Sequence, residues 1–344
     1  MPRRISEDQT RKEMIDPQLE KAGWTLRDHA KVKIEIPVDG YDKEPWNGVT
    51  DYCLYCENGE VLAVVEAKRT STDVRLAEAQ LTHYVTEIEK HQSFRPFGFL
   101  ANGLEIHFVD VGLAAKREVF GFFTRADLEN LLYLRQNAKP LSSIEINTEI
   151  VDRAYQHEAI RRICEAFEIP SRRFDGEASK ALQEPSGRLS GGKRKALIVM
   201  ATGTGKTRTT MGLIDVFMRS NQARRILFVA DRDALVDQAK EDGFEKFIPQ
   251  EPCTRLHSWD DPNTRTQRLY AVTLQTLSNI FEQFSPAFFD LIARWLGCSK
   301  EYRFFSKSLR PYFCANSTGF HSIMQTQAVF TQEKLSERAD FGII

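Results

Sequence analysis

Residues 196–217 read ALIVMATGTGKTRTTMGLIDVF. An apolar run, a glycine-rich turn and a helical sequence follow without a break. That succession fixes a strand–loop–helix unit of the kind that builds parallel sheets. Gly203 and Gly205 let backbone N–H groups approach an anion, and the helix start adds its positive end. Within Thr202-Gly203-Thr204-Gly205-Lys206-Thr207, Lys206 is expected to reach terminal phosphates and Thr207 to ligate the Mg2+ of Mg-ATP. The strict pattern has glycine at 200, where this chain has Met200. The second half of the chain is therefore expected to bind ATP.

Residues 47–69, NGVTDYCLYCENGEVLAVVEAKR, carry a different constraint. Asn58-Gly59 between two runs of strand-forming residues predicts a β-hairpin with a two-residue type I′ turn. In that register Glu57 faces Glu60 and Asp51 faces Glu66, with Cβ atoms roughly 4.5–5.5 Å apart on one face. Lys68, two residues on, shares that face. Opposed carboxylates repel, and a hard cation such as Mg2+ relieves the repulsion. Two acids, a cation and an ammonium suit phosphodiester hydrolysis: the metal activates water, and Lys68 stabilises charge on the phosphate. The plainer alternative is that Glu66 and Lys68 are exposed charges at a strand end. Gln80 and Tyr84, at i and i+4 of the next helical stretch, share a helix face. Here the plainer alternative is a core tyrosine and a solvated glutamine.

A length of 344 residues suits two domains. The net charge of −1 supplies no global basic field, so any nucleic-acid affinity must come from local patches. No apolar run is long enough to span a bilayer and no signal peptide is recognisable, so a cytoplasmic protein without a membrane partner is expected. Cys53-x-x-Cys56 lies on a strand, where positions three apart face opposite sides, and reads as two buried thiols rather than a metal site. The elements suggest a mixed α/β domain over 1–137, a linker over 138–149 and a second domain over 150–292. Residues 171–195 read as a polar surface loop.

Asp51, Glu66-Ala67-Lys68 and Gln80-x-x-x-Tyr84 resemble the PD-(D/E)xK nuclease with a trailing Gln-x-x-x-Tyr element, and the opening Asp16–Trp24 resembles the start of the same proteins. These are the restriction (R) subunits of type I restriction-modification enzymes. The second domain resembles superfamily 2 helicases. Tyr155-Gln156 is similar to their adenine-reading element, Ile226–Ala239 with Arg232 to motif Ia, and Ala271–Leu277 with Thr273, Gln275 and Thr276 to motif Ib. The resemblance implies a nuclease-like domain followed by a partial RecA-like parallel-sheet domain. Asp51 and Glu66 would hold Mg2+, Gln80 and Tyr84 would support the nuclease, and Tyr155, Gln156 and residues 202–207 would bind ATP. Arg232, Thr273, Gln275 and Thr276 would contact double-stranded DNA. Modification and specificity subunits are the implied partners.

The resemblance ends near residue 292. Phe288–Ile292 looks like the strand leading into a Walker B box, but Ala293-Arg294-Trp295-Leu296 follows, and no Asp-Glu dipeptide occurs in the chain. Residues 293–344 hold seven Lys or Arg against four Asp or Glu and lack a sustained period. They read as an atypical, out-of-frame tail that would leave a strand edge open. The expectation is a truncated R subunit without ATP hydrolysis. The alternatives are a free-standing Mg2+-dependent nuclease and a non-catalytic ATP- or DNA-binding remnant.

Overall fold

The computed structural model describes residues 7–37, 49–69, 74–168, 193–201, 203–296 and 327–332. The chain forms two compact units that divide between Tyr133 and Leu134.

The first unit opens with a helical segment, α1 (Glu7–Thr10) and α2 (Asp16–Lys21), joined through a π-helical turn over Arg11–Ile15. Thr10, Ile15 and Leu19 are its buried positions. Then come β1 (Val32–Pro37), β2 (Val49–Tyr55), β3 (Val61–Ala67), α3 (Val74–Glu89), β4 (Phe97–Ala101), β5 (Ile106–Asp110), β6 (Ala114–Val119) and α4 (Arg125–Asn137). The strands make one mixed sheet in sequence order, antiparallel except for β3–β4, which α3 joins as a parallel crossover. Leu81, Tyr84, Val85 and Ile88 of α3 pack over Cys53, Tyr55, Val64 and Leu100 on one face. The close approach depends on Gly98, where an added Cβ would lie 2.6 Å from Leu81 Cδ2. Phe97, Phe99, Phe108, Phe122 and Phe123 form a separate aromatic group, with Phe99 edge-on to three of the others. The Trp24 indole N–H donates to Phe123 O at 2.8 Å.

The hairpin register holds at the site but not at the turn. Tyr52, Cys53 and Leu54 pair with Val65, Val64 and Ala63, as expected, whereas Tyr55 pairs with Val61. Cys56 N–H donates to Glu60 O and Gly59 N–H to Cys56 O, so the loop is Glu57-Asn58-Gly59 rather than the two-residue turn. Gly59 has φ 84°, a left-handed conformation open to glycine, as in the three-residue hairpin loop. A bulge at Leu62 inserts one residue into β3 and restores the register that brings Asp51 to Glu66.

The second unit comprises α5 (Ala154–Glu168), β7 (Lys195–Met200), α6 (Lys206–Arg219), β8 (Ile226–Ala230), α7 (Asp233–Gln238), β9 (Cys253–Arg255), β10 (Leu269–Thr273), α8 (Leu274–Ile280), β11 (Leu291–Leu296) and β12 (Gln327–Gln332). The sheet is parallel throughout, in the order β7-β12-β11-β8-β10-β9. Leu141, Ile144 and Ile146, from the segment expected as a linker, pack on this unit's core. One strand crosses residue 292 and another lies beyond it. β11 continues to Leu296, and β12 pairs with both β7 and β11, so the edge expected to stand open is covered there. The polar loop expected over 171–195 falls almost wholly outside the described residues. No described helix is long and apolar enough to cross a membrane.

Candidate active site

The first unit gathers its expected residues on and beside the hairpin. The Ala67 backbone N–H donates to Asp51 Oδ2 at 2.7 Å, clipping the Asp51 carboxylate across to the end of β3. Lys68 Nζ lies 2.6 Å from Glu66 Oε1, and the Glu66 side chain is only 2% exposed. The exposed-charge alternative therefore fails for Glu66. A carboxylate this deeply buried requires a counter-charge, which Lys68 supplies. By strand alternation Glu66 shares the face of Val64, which α3 covers. Gln80 Nε2 donates to Tyr84 Oη at 2.5 Å. Tyr84 is also a core residue beside Val64 and Leu100, so the packing alternative and the shared-face expectation both describe it.

Three participants escaped the sequence reading. Arg11 Nη1 lies 3.3 Å from Asp51 Oδ1 and 3.0 Å from Glu35 Oε1. Its guanidinium sits 5.2 Å from the Tyr52 ring centroid, and Tyr52 Oη donates to Asp16 Oδ1 at 2.6 Å. Burial works against the Arg11 charge, but hydrogen bonding to Tyr52 and Glu35 and the nearby Asp51 outweigh it and hold its pKa above the ordinary value. Burial, then the bond to Asp16, raises the Tyr52 phenol. Glu35 has φ 56°, uncommon outside glycine, and the β1–β2 ladder skips it between Ile34↔Tyr52 and Ile36↔Thr50. These contacts join residues 24 to 41 positions apart, and no local pattern marks them.

Among the described residues no group of three or more His, Cys, Asp or Glu is arranged to hold a metal. The Asp51–Glu66 pair still suits Mg2+, which retains several waters and commonly takes one or two carboxylates. Cys53 is buried, and burial pushes its thiol up to about 11. Cys56, expected to be buried, is half-buried in the turn, where its Sγ lies 2.6 Å from Asn58 Oδ1.

In the second unit the glycine-rich loop leaves β7 at the carboxyl edge of the sheet and enters α6. Gly203 and Gly205 have φ 81° and 85°, the left-handed conformation that glycine permits and that lets the loop curl. Lys206 Nζ donates to Ala201 O at 3.0 Å, and burial lowers its pKa. Thr204 Oγ1 donates to Ala201 O at 2.6 Å, and Thr207 is half-buried in the first turn of α6. Thr202 lies outside the described residues. Tyr155 Oη donates to Thr204 O at 2.6 Å, and Gln156 Nε2 to Thr204 O and Gly205 O at 3.2 and 3.3 Å. This expected adenine-reading pair therefore holds the loop's own carbonyls.

Of the expected DNA contacts, Arg232 is exposed just after β8 and Gln275 is exposed on α8. Thr273 caps α8 by accepting from Thr276 N–H, and the two hydroxyls lie 2.9 Å apart. Both threonines are thus engaged in the helix start. Near the end of β11, Trp295 Nε1 lies 3.5 Å from Thr210 Oγ1 of α6, and its ring meets Phe228 edge-on.

Fold and site define a two-unit protein, a nuclease-like mixed α/β unit and a partial RecA-like parallel-sheet unit. Residues 35–117 match the family model for the type I restriction enzyme R protein N terminus, and residues 149–293 match that for the type III restriction enzyme res subunit. The endonuclease subunit of the Escherichia coli type I restriction enzyme EcoAI is 29% identical over 257 residues, covering 70% of this chain and 28% of the relative. That of EcoKI, from strain K12, is 28% identical over 286 residues, covering 68% and 23%. Among solved structures, an HsdR-subunit fragment from Vibrio vulnificus YJ016 aligns over 96% of this chain and 56% of its own at 21% identity and a TM-score of 0.35. The UvsW helicase of bacteriophage T4 aligns over 56% and 57% at 15% identity and a TM-score of 0.33. The chain is similar to the R subunits of type I restriction enzymes, and it spans about a quarter of the length of the curated relatives it matches.

Proposed function

We propose that the first unit is a Mg2+-dependent endonuclease acting on double-stranded DNA, with Asp51, Glu66 and Lys68 as its catalytic residues. The observation that carries this reading is the Lys68–Glu66 pair at 2.6 Å on a β3 whose Ala67 N–H binds Asp51. Asp51 and Glu66 would hold the metal, which would supply activation of water and polarisation of the phosphoryl oxygen. Lys68 Nζ supplies positive charge beside the scissile phosphate. Gln80 supports the site through Tyr84 Oη.

The second unit binds ATP at residues 202–207, with Tyr155 and Gln156 turning from loop carbonyls to the base when nucleotide enters. Arg232 and Gln275 contact the DNA backbone, with Thr273 and Thr276 holding the start of α8 beside them. Hydrolysis is negligible, because Arg294-Trp295-Leu296 supplies no carboxylate to hold Mg2+ or orient water. In the intact family the partners are modification and specificity subunits and ATP-driven translocation precedes cleavage, whereas this chain's nuclease unit acts without ATP turnover.

Incubating supercoiled plasmid with the full chain in Mn2+, with and without ATP, tests the nuclease reading. Nicking that Lys68→Ala abolishes and ATP does not alter is expected. Nicking that survives Lys68→Ala contradicts the assignment. DNA-stimulated ATP turnover abolished by Lys206→Ala would contradict the silent second unit.

A further inference from the structure

Four charged side chains crowd the hairpin end, and two are cations supplied by the chain itself. Lys68, one residue past the end of β3, neutralises Glu66. Asp51 is neutralised from elsewhere, by Arg11 on the π-helical turn between α1 and α2. Arg11 is well held there. Its side chain is 15% exposed, Nη1 is shared between Asp51 and Glu35, and the guanidinium lies over Tyr52. Tyr52 in turn is bonded to Asp16, one turn further along the same helical segment. Gln18 Nε2 donates to Gly103 O at 3.2 Å, fixing that segment to the β4–β5 loop. Asp51 Oδ2 already accepts from Ala67 N–H, so Oδ1 is the oxygen that Arg11 and an incoming cation would share.

We propose that Arg11 is a positioning residue that stands in for the metal, holding Asp51 in place and competing with a divalent cation for Oδ1. This rests on the reading of Asp51 and Glu66 as metal carboxylates. Metal entry then requires the guanidinium to give up Asp51 and rest on Glu35 alone. Glu35, with 66% side-chain exposure, is the outer anchor that can keep it. The N-terminal helical segment thereby sets the metal affinity of the hairpin, and anything that moves it changes that affinity.

Isothermal titration of the full chain with MnCl2, in the absence of DNA and nucleotide, tests this. A unit positive charge removed from beside a metal carboxylate raises cation affinity, so Arg11→Gln should bind Mn2+ roughly tenfold more tightly than wild type. Arg11→Lys, which keeps the charge, should stay near wild type, and Asp51→Asn should lose binding. Equal or weaker binding by Arg11→Gln, with Asp51→Asn still abolishing the wild-type signal, overturns the competition alone. No Mn2+ binding by either wild type or Arg11→Gln overturns it together with the metal reading. If Arg11→Gln does not fold, Glu35→Gln serves instead. It leaves the guanidinium to Asp51, and Mn2+ binding should weaken, whereas unchanged binding contradicts the proposal.

Discussion

Lys68 and Glu66 have unequal environments: the Glu66 side chain is 2% exposed and that of Lys68 is 19% exposed. Removing the ammonium leaves a buried carboxylate short of its principal counter-charge. Lys68→Ala should therefore lower unfolding stability by about 3 kcal/mol, and Mn2+ should recover part of that loss, as urea titrations with and without metal would measure. Metal-independent destabilisation would mean that Glu66 faces away from the cation. Buried thiols give a second prediction. Burial pushes Cys253 up to about 12. A raised folded pKa keeps the proton in the native state, so its stabilisation is complete below the unfolded thiol range and declines as pH rises through it. From about pH 9 upward stability should fall by about 1.4 kcal/mol per pH unit on account of this group alone. Cys253→Ala should remove that slope, and an unchanged slope would contradict the assignment.

At the scale of elements, α3 sits on β4 because Gly98 has no side chain. Gly98→Ala should cost about 1–3 kcal/mol by overpacking against Leu81. The pair Gly98→Ala with Leu81→Ala should cost less than the sum of the two single changes, as a double-mutant cycle on unfolding would measure. The hairpin illustrates how much of the site could be read from sequence. Alternation and Asn58-Gly59 marked both strands, and Asp51 was matched to Glu66. The loop has one more residue than expected, and only the bulge at Leu62 corrects the count. Bulges depend on twist and packing across the sheet, which a hairpin sequence does not encode locally. The glycine-rich loop was legible because its chemistry is contiguous. Arg11 was not, because its partners Glu35 and Asp51 are remote in the chain and its helix carries no motif.

At the scale of the molecule, two units with different sheets present different sets of polar side chains. The mixed sheet brings two carboxylates and an ammonium together on adjacent strands. The parallel sheet has a glycine-rich loop at its carboxyl edge but presents Trp295 to α6 near the end of β11. β11 runs past residue 292 to Leu296 and β12 pairs with β7 and β11, because parallel strands take their neighbours from far away in sequence and a segment without period can still fill such a gap. Nucleotide should therefore bind without turnover. Fluorescent ATP-analogue titration should saturate with wild type and be lost with Lys206→Ala, while phosphate release stays at background. The central claim concerns the first unit, and anomalous diffraction from crystals soaked in MnCl2 addresses it most directly. The account predicts one peak between Asp51 and Glu66, about 2.0–2.3 Å from an oxygen of each, with Arg11 turned towards Glu35. A manganese peak elsewhere, or none with Arg11 still on Asp51 at saturating metal, would contradict it.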